Sequence, residues 1–511
     1  MNTQALLIFF IAALGTACGP NALATTSFLN KFRSDPKIAM DLMPEKTGDR
    51  VAQEIIDDKI TACRRDASRD AIREASRWAI RETSHNIGHH GLGVVFAPKT
   101  DQENPEHFLE AEKILTDISS LDTHRKGEVD IQPWSGDYWP IRNGGAARRY
   151  RDKNAPPPGA ASTWTEGFEY FTKNPSAEAE IDLLSPAEKY DRLLGDDSYT
   201  LAHSSWEEGK SNFDEHGQVE SWMGICHGWA PASFMEPRPT HKIKLNTFKS
   251  NEEIIFRPDD LKALASLKWA NGINIKNDRS ELGTRFIGQR CAQKSPKRDP
   301  ETGRILDQEC FDLNPGAWHQ VVINQVAVAK RPFVIDAAFD YEVWNQPVVA
   351  YSFRYFNPIS FDTTDVLSEA RVKLDDPKLH DKFKKFRNNP LAVEIVGVIM
   401  AVTYVIESKP RGLNTDEPER DLRTTVHYHY DLELDAKGEI LGGEWYQNAH
   451  PDFIWMPVKN STALNIEDLK VNSIDTAVAT ASTASKTNAP LRFVLDKLLE
   501  LATGALPSGH R

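Results

Sequence analysis

Trp222-Met223-Gly224-Ile225-Cys226-His227-Gly228-Trp229 is the stretch on which the reading of this chain turns. A single cysteine stands between two glycines, with one residue on either side. A helix that begins at Cys226 points its amide dipoles at the sulfur, which favours the thiolate. Small neighbours leave room for a carbonyl group to approach the backbone, where an amide N–H can steady an oxyanion. Pro231 then falls near the first turn, where proline is best tolerated. The competing reading is a buried structural cysteine, a common use of this residue.

Two further stretches follow in chain order, Asn314-Pro315-Gly316-Ala317-Trp318-His319 and Phe333-Val334-Ile335-Asp336. The order Cys, His, Asp suits a nucleophile, a base and an orienting carboxylate, and so a reaction at a carbonyl carbon. His227 also competes as base, but a neighbour in sequence points its side chain elsewhere along a helix or strand. His319 opens a β-branched run, Val321 to Val328, which reads as a strand. A base on a rigid strand, facing a nucleophile at a helix start, is the papain arrangement. Asp336 ends the next strand-like run. Asp340 is the alternative third member and Glu342 a weaker one. The fold class expected is therefore α+β: a papain-like core with the nucleophile on a helix N-terminus packed against an antiparallel sheet, preceded by a helical segment.

The chain has 511 residues, 40% of them hydrophobic and 26% charged, an ordinary globular composition. Its formal charge of −13 speaks against a nucleic-acid partner, because phosphate binding needs a basic surface. Leu6 to Leu14 is an apolar run too short to span a bilayer, and it reads as an export signal. No basic residue precedes it. Two processing sites compete: cleavage after Ala22-Leu23-Ala24, or a lipoprotein signal ending before an acylated Cys18, which would attach the protein to a membrane. Either places the protein outside the cytoplasm, secreted or in the cell envelope. Export permits disulfides, and Cys291 and Cys310 flank a polar, turn-rich loop that a bridge could close. Cys226 then stays free, and Cys63 has no assigned role.

Residues 25–130 read as a polar, helical region, 131–460 as the catalytic domain, and 461–511 as a flexible tail. Residues 131–150, rich in Trp, Pro and Gly, read as an ordered loop. Ser185, Pro186 and Glu188 have the N-cap, first-turn and N3 pattern of a helix start. Val393 to Ile406 reads as a buried strand, Thr425 to Tyr430 as an alternating one. Ala436-Lys437-Gly438 reads as a hairpin turn between Leu432–Asp435 and Ile440–Tyr446. His85 and His89 have the spacing of a metal pair, but glycines interrupt the helix there and a loop is the better reading. His427 and His429 read as surface residues, and Glu444 and His450 as part of a binding surface.

Glu342-Val343-Trp344-Asn345-Gln346-Pro347-Val348 resembles the defining segment of the transglutaminase elicitor family, whose best-known members are oomycete cell-wall glycoproteins. The likeness extends in order through Trp134–Tyr150, Leu184–Asp196, Glu220–Pro237, Gly288–Asn324 and Gly442–Pro457, so it covers about 130 to 460. The resemblance implies a papain-like fold and protein-glutamine γ-glutamyltransferase activity, with Cys226, His319 and Asp336 in the catalytic positions. It implies protein substrates that present glutamine and lysine side chains. The family is credited with calcium dependence, although the chemistry itself requires no cofactor and any calcium would be structural. The chain departs from the plant-recognised peptide at Val349, where that peptide has a basic residue, so elicitor activity is not expected. The same residues also suit a cysteine protease or glutamine deamidase, because either amine or water can reach a thioester. A non-catalytic exported binding protein is the third reading. Trp222, Trp229, Trp318 and Trp344 are candidates to wall a channel that excludes water.

Overall fold

A computed structural model describes residues 20–48, 104–109, 114–158, 163–272, 284–291, 293, 295–307, 310, 313–339, 341–458 and 490–503. The Leu6–Leu14 run, Cys18, Cys63, His85, His89 and Asp340 lie outside them.

Thirteen strands are described: β1 (Glu45–Gly48), β2 (Lys126–Glu128), β3 (Ile243–Asn246), β4 (Glu253–Phe256), β5 (Thr284–Gly288), β6 (Phe333–Asp336), β7 (Asn345–Phe356), β8 (Thr363–Thr364), β9 (Arg371–Lys373), β10 (Glu394–Ile406), β11 (Leu422–Leu434), β12 (Ile440–Gly442) and β13 (Phe453–Pro457). Eleven form one antiparallel sheet in the order β1-β11-β10-β7-β6-β13-β5, with β12 on β11, β2 and β8 on β7, and β9 on β10. β3 and β4 make a separate hairpin. β10 sits centrally and is apolar on both faces, so Val396, Val398, Met400 and Val402 are buried on one side and Ile395 and Ile399 on the other. This is the buried strand expected at 393–406.

Local chemistry sets the helix ends. Ser185 caps the Pro186–Leu194 helix in a complete capping box with Glu188, as its sequence predicts. The Glu188 carboxylate also takes a side-on grip from Arg149, Nη2 to Oε1 2.6 Å, and Lys189 meets Asp260 at 2.7 Å with both groups buried. Breaking either pair would strand a buried charge. The hairpin after β11 forms as read: Gly438 takes φ 88°, and Asp435 Oδ1 accepts from Lys437 N and Glu439 N. Residues 131–150 are a buried loop with two single turns of 3₁₀ helix, Ile141–Asn143 and Gly145–Ala147.

Three expectations are corrected. Val321–Val328 is not a strand: Pro315–Ile323 is an α-helix that continues as a π-helical turn over Asn324–Val328. Asn314 caps it with its side chain on Gly316 N at 2.8 Å, and Pro315 opens it, so the start signal and burial outweigh the β-branched run. Most of residues 25–130, expected to be helical, lie outside the described residues, and the described ones contribute strands to the main sheet. Within them β1 pairs with β11 and β2 with β7, while Phe28 stacks on His429 at 4.2 Å and Phe32 on Tyr446 at 4.3 Å. His427 and His429 are consequently buried rather than surface residues. The tail is not wholly free either: the Pro490–Thr503 helix buries Val494, Leu495, Leu498, Leu499 and Ala502, and Asp496 meets Lys268 at 2.8 Å.

Candidate active site

Cys226 is the first residue of a ten-residue helix, Cys226–Met235, with Ile225 as its N-cap and no side chain capping it. Pro231 lies inside this helix, where its missing N–H leaves the His227 carbonyl without a helical partner. The flanking glycines serve packing rather than substrate access. A Cβ on Gly228 would lie 2.1 Å from the Ser266 carbonyl oxygen, because the Pro258–Gly272 helix crosses there in backbone contact. A Cβ on Gly224 would lie 2.5 Å from Tyr138.

Cys226 is buried, 4% exposed, and is the free cysteine among the described residues. Its Sγ–H donates to the Val343 carbonyl at 3.7 Å, and Asn345 Nδ2 donates to Sγ at 3.5 Å. The amide orientation of Asn345 follows from its other neighbour. Trp455 Nε1, which can only donate, sits 2.7 Å from Asn345 Oδ1, so the NH₂ end must face the sulfur. Asn345 is paired across the strands with Asp336, whose Oδ1 accepts from Trp344 N at 2.8 Å and Ala338 N at 3.1 Å. Gln346 Nε2 donates to Glu407 Oε1 at 2.8 Å. The Val343–Gln346 segment thus contacts the thiol, the Asp336 carboxylate and the Glu407 carboxylate together.

Burial pushes the Cys226 thiol up to about 11; the Asn345 contacts pull down, and the charges of Glu407 and Asp336 push up again. The helix start that was expected to favour the thiolate is present, but desolvation outweighs it. At neutral pH the group is therefore a thiol.

Of the three residues read as a triad, the fold brings Cys226 and Asp336 to the same place and leaves His319 elsewhere. His319 is fully buried in the Pro315–Ile323 helix. Its Nδ1 meets Tyr430 Oη at 2.8 Å, and its ring packs edge-on to Phe353. Phe353 and Asn345 are eight residues apart on β7, roughly 26 Å at about 3.3 Å per residue. His319 is therefore a core histidine at the far end of the sheet, and burial drops its pKa to about 3. The error follows from the strand misreading, since a histidine on a strand facing the thiol requires Val321–Val328 to be that strand. No imidazole bonds to Cys226 among the described residues. The neighbouring His227 is half-buried, with its pKa lowered by burial to about 4.

The residues that sequence reasoning missed are Asn345 and Glu407. Asn345 was quoted only as part of a motif, and its chemical role follows from Trp455, more than a hundred positions away. Glu342, weighed as a weaker third member, instead accepts from Trp344 Nε1 at 2.9 Å. Trp222 packs on Tyr341 and Trp344 on Tyr138, whereas Trp229 is a buried residue of the Cys226–Met235 helix and Trp318 packs on Tyr428. Glu444 and His450 are not a binding surface: Glu444 is buried against Arg304, and His450 stacks on Trp445. The Cys291–Cys310 disulfide is formed. Among the described residues, no three or more His, Cys, Asp or Glu side chains converge as a cation site. Among the same residues, no helix is long and apolar enough to cross a membrane.

A buried thiol at a helix start, set against an antiparallel sheet that supplies an amide and a carboxylate, defines a cysteine-centred α+β protein. The family model described as transglutaminase elicitor matches residues 101–478, well over half the chain, and the protein belongs to that family. It is similar to a solved structure, the crystal structure of the GP42 transglutaminase from Phytophthora sojae, at 21% identity and a TM-score of 0.45, covering 73% of this chain and 95% of that one. A comparison with curated proteins finds no match.

Proposed function

We propose that this protein is an exported protein-glutamine γ-glutamyltransferase that works through Cys226. The observation that carries the reading is the enclosure of a free cysteine, at an uncapped helix start, by the Val343–Gln346 segment of the family's own motif. Cys226 Sγ attacks the side-chain carboxamide carbon of a protein glutamine. The C–N bond breaks, and the thiol proton leaves on the departing ammonia. A lysine amine then attacks the thioester, giving an isopeptide and restoring the thiol. Asn345 Nδ2, which contacts the sulfur, and the Cys226 amide N–H at the helix start are assigned as the donors for the oxyanion. Asp336 replaces His319 as the group assigned to relay the proton, because it lies across the strand pair from Asn345. The order of events needs the thiol uncovered first, so the substrate must part the segment around Val343.

A second reading has an observation in its favour. A thiol pushed up to about 11, with no imidazole bonded to it among the described residues, also suits a family member that binds without catalysing. Incorporation of a fluorescent primary amine into a glutamine-rich acceptor protein separates the two. Incorporation by wild type that is lost in Cys226→Ala supports transfer. Cys226-dependent ammonia release without incorporation moves the protein to the deamidases, and Cys226-dependent cleavage of the acceptor to the proteases. Complete inactivity leaves the binding reading.

A further inference from the structure

Arg290 stands just past the end of β5, with its guanidinium over the Trp222 ring, 5.5 Å from Cζ to centroid. Its Nε and Nη2 are shielded and have no hydrogen-bond partner among the described residues. Those two N–H groups form one edge of the guanidinium, the edge that takes a carboxylate side-on. This protein fills the same edge elsewhere. Arg149 Nε and Nη2 grip Glu188 at 3.0 and 2.6 Å, and Arg304 Nε and Nη2 grip Glu444 at 2.6 and 2.9 Å. At Arg290 no described residue fills that edge.

The position is fixed by its neighbours along the chain. Gln289 N donates to the Asp452 carbonyl at 3.2 Å, and Cys291 N to Asp452 Oδ2 at 2.9 Å, while Cys291 is bridged to Cys310. Two paths tie it to the thiol. Trp222 is four residues before Cys226, hence within about 14 Å along even an extended chain. Trp222 also packs edge-on against Tyr341 at 6.1 Å, two residues before the Val343 carbonyl that receives the Cys226 thiol. A shielded, unfilled guanidinium edge is costly to keep, and substrate is one class of partner that can repay it.

We propose that Arg290 is a specificity residue that binds a carboxylate of the glutamine donor, an acidic side chain beside the reactive glutamine or a chain-terminal carboxylate. The proposal rests on the acyl-transfer reading for the identity of the substrate. Trp222, beneath the Arg290 guanidinium, packs on Tyr341, two residues before the Val343 carbonyl that receives the thiol.

The test is peptide binding to the full chain carrying Cys226→Ala, read by fluorescence anisotropy, so that no turnover is needed. The probes are short peptides with one glutamine flanked by glutamate, the same peptide with alanine in place of glutamate and an amidated end, and the alanine peptide with a free C-terminal carboxylate. One of the two carboxylate peptides binds at least about tenfold tighter than the amidated alanine peptide. Which one wins distinguishes a side-chain from a terminal source. Adding Arg290→Gln abolishes the preference. Arg290→Lys keeps the charge but loses the two-pronged edge, so most of the preference goes while the fold is kept. Equal binding of all three peptides, or a preference that survives both Arg290 variants in folded protein, overturns the proposal. Lack of amine incorporation by wild type would refute the transfer reading and leave this binding result standing.

Discussion

Cys226 and His319 are both buried ionisable groups, and their neighbours give them opposite meanings. The sulfur touches an amide whose orientation is fixed by Trp455, and it sits near two carboxylates. The imidazole touches a phenol and a phenyl ring. Because the Cys226 thiol is pushed up to about 11, its alkylation by iodoacetamide in native protein should rise through pH 8 to 10 without a plateau. A plateau already reached near pH 7 would mean a preformed thiolate. His319→Asn retains a polar group near the Nδ1 position but removes the ring, so we expect a loss of about 1–3 kcal/mol of stability, read by denaturant unfolding. Cys226-dependent amine incorporation should survive it at temperatures where the variant is folded. Its abolition there would restore His319 to the mechanism.

At the scale of elements, the legible part of the sequence was whatever was written locally. The capping box at Ser185, the hairpin glycine at Gly438 and the apolar run of β10 each occur within a few residues of the structure they produce. The Pro315–Ile323 helix carries a similar local signal, Asn314 then Pro315, yet the β-branched run behind it argued for a strand. The cap was the stronger evidence, because a helix start is a specific hydrogen-bond geometry whereas β-propensity reports mainly burial. The candidate site was legible only in part. Cys226 and Asp336 were named, but Asn345 and Glu407 owe their roles to strand pairing that no short window contains. The glycines around Cys226 were read as room for substrate, and the helix crossing shows that Gly228 is filled space. Gly228→Ala should therefore force the Cys226–Met235 and Pro258–Gly272 helices apart, costing about 1–3 kcal/mol or more. Thermal unfolding checks this, and an unchanged midpoint would mean that the crossing is looser than 2.1 Å from Cβ to carbonyl implies.

Over the whole molecule, the two ends of the described chain are structural parts of one body. β1 completes the sheet beyond β11, and Leu29, Phe32, Ala39 and Met40 cover Phe356, Phe383, Ile399 and Tyr446. The Pro490–Thr503 helix covers the Pro258–Gly272 helix and supplies Asp496 to the buried Lys268. A shortened chain of residues 101–478, the span the family shares, lacks both. It should bare the β11 edge and two apolar faces, and light scattering should report association at concentrations where residues 20–511 stay dispersed. A monodisperse short chain would show these covers to be dispensable. The piece that descent has kept recognisable and the piece that can stand alone in water are then two different objects. A comparison by the shared span alone would overlook the N-terminal strand and C-terminal helix that finish the surface of this chain.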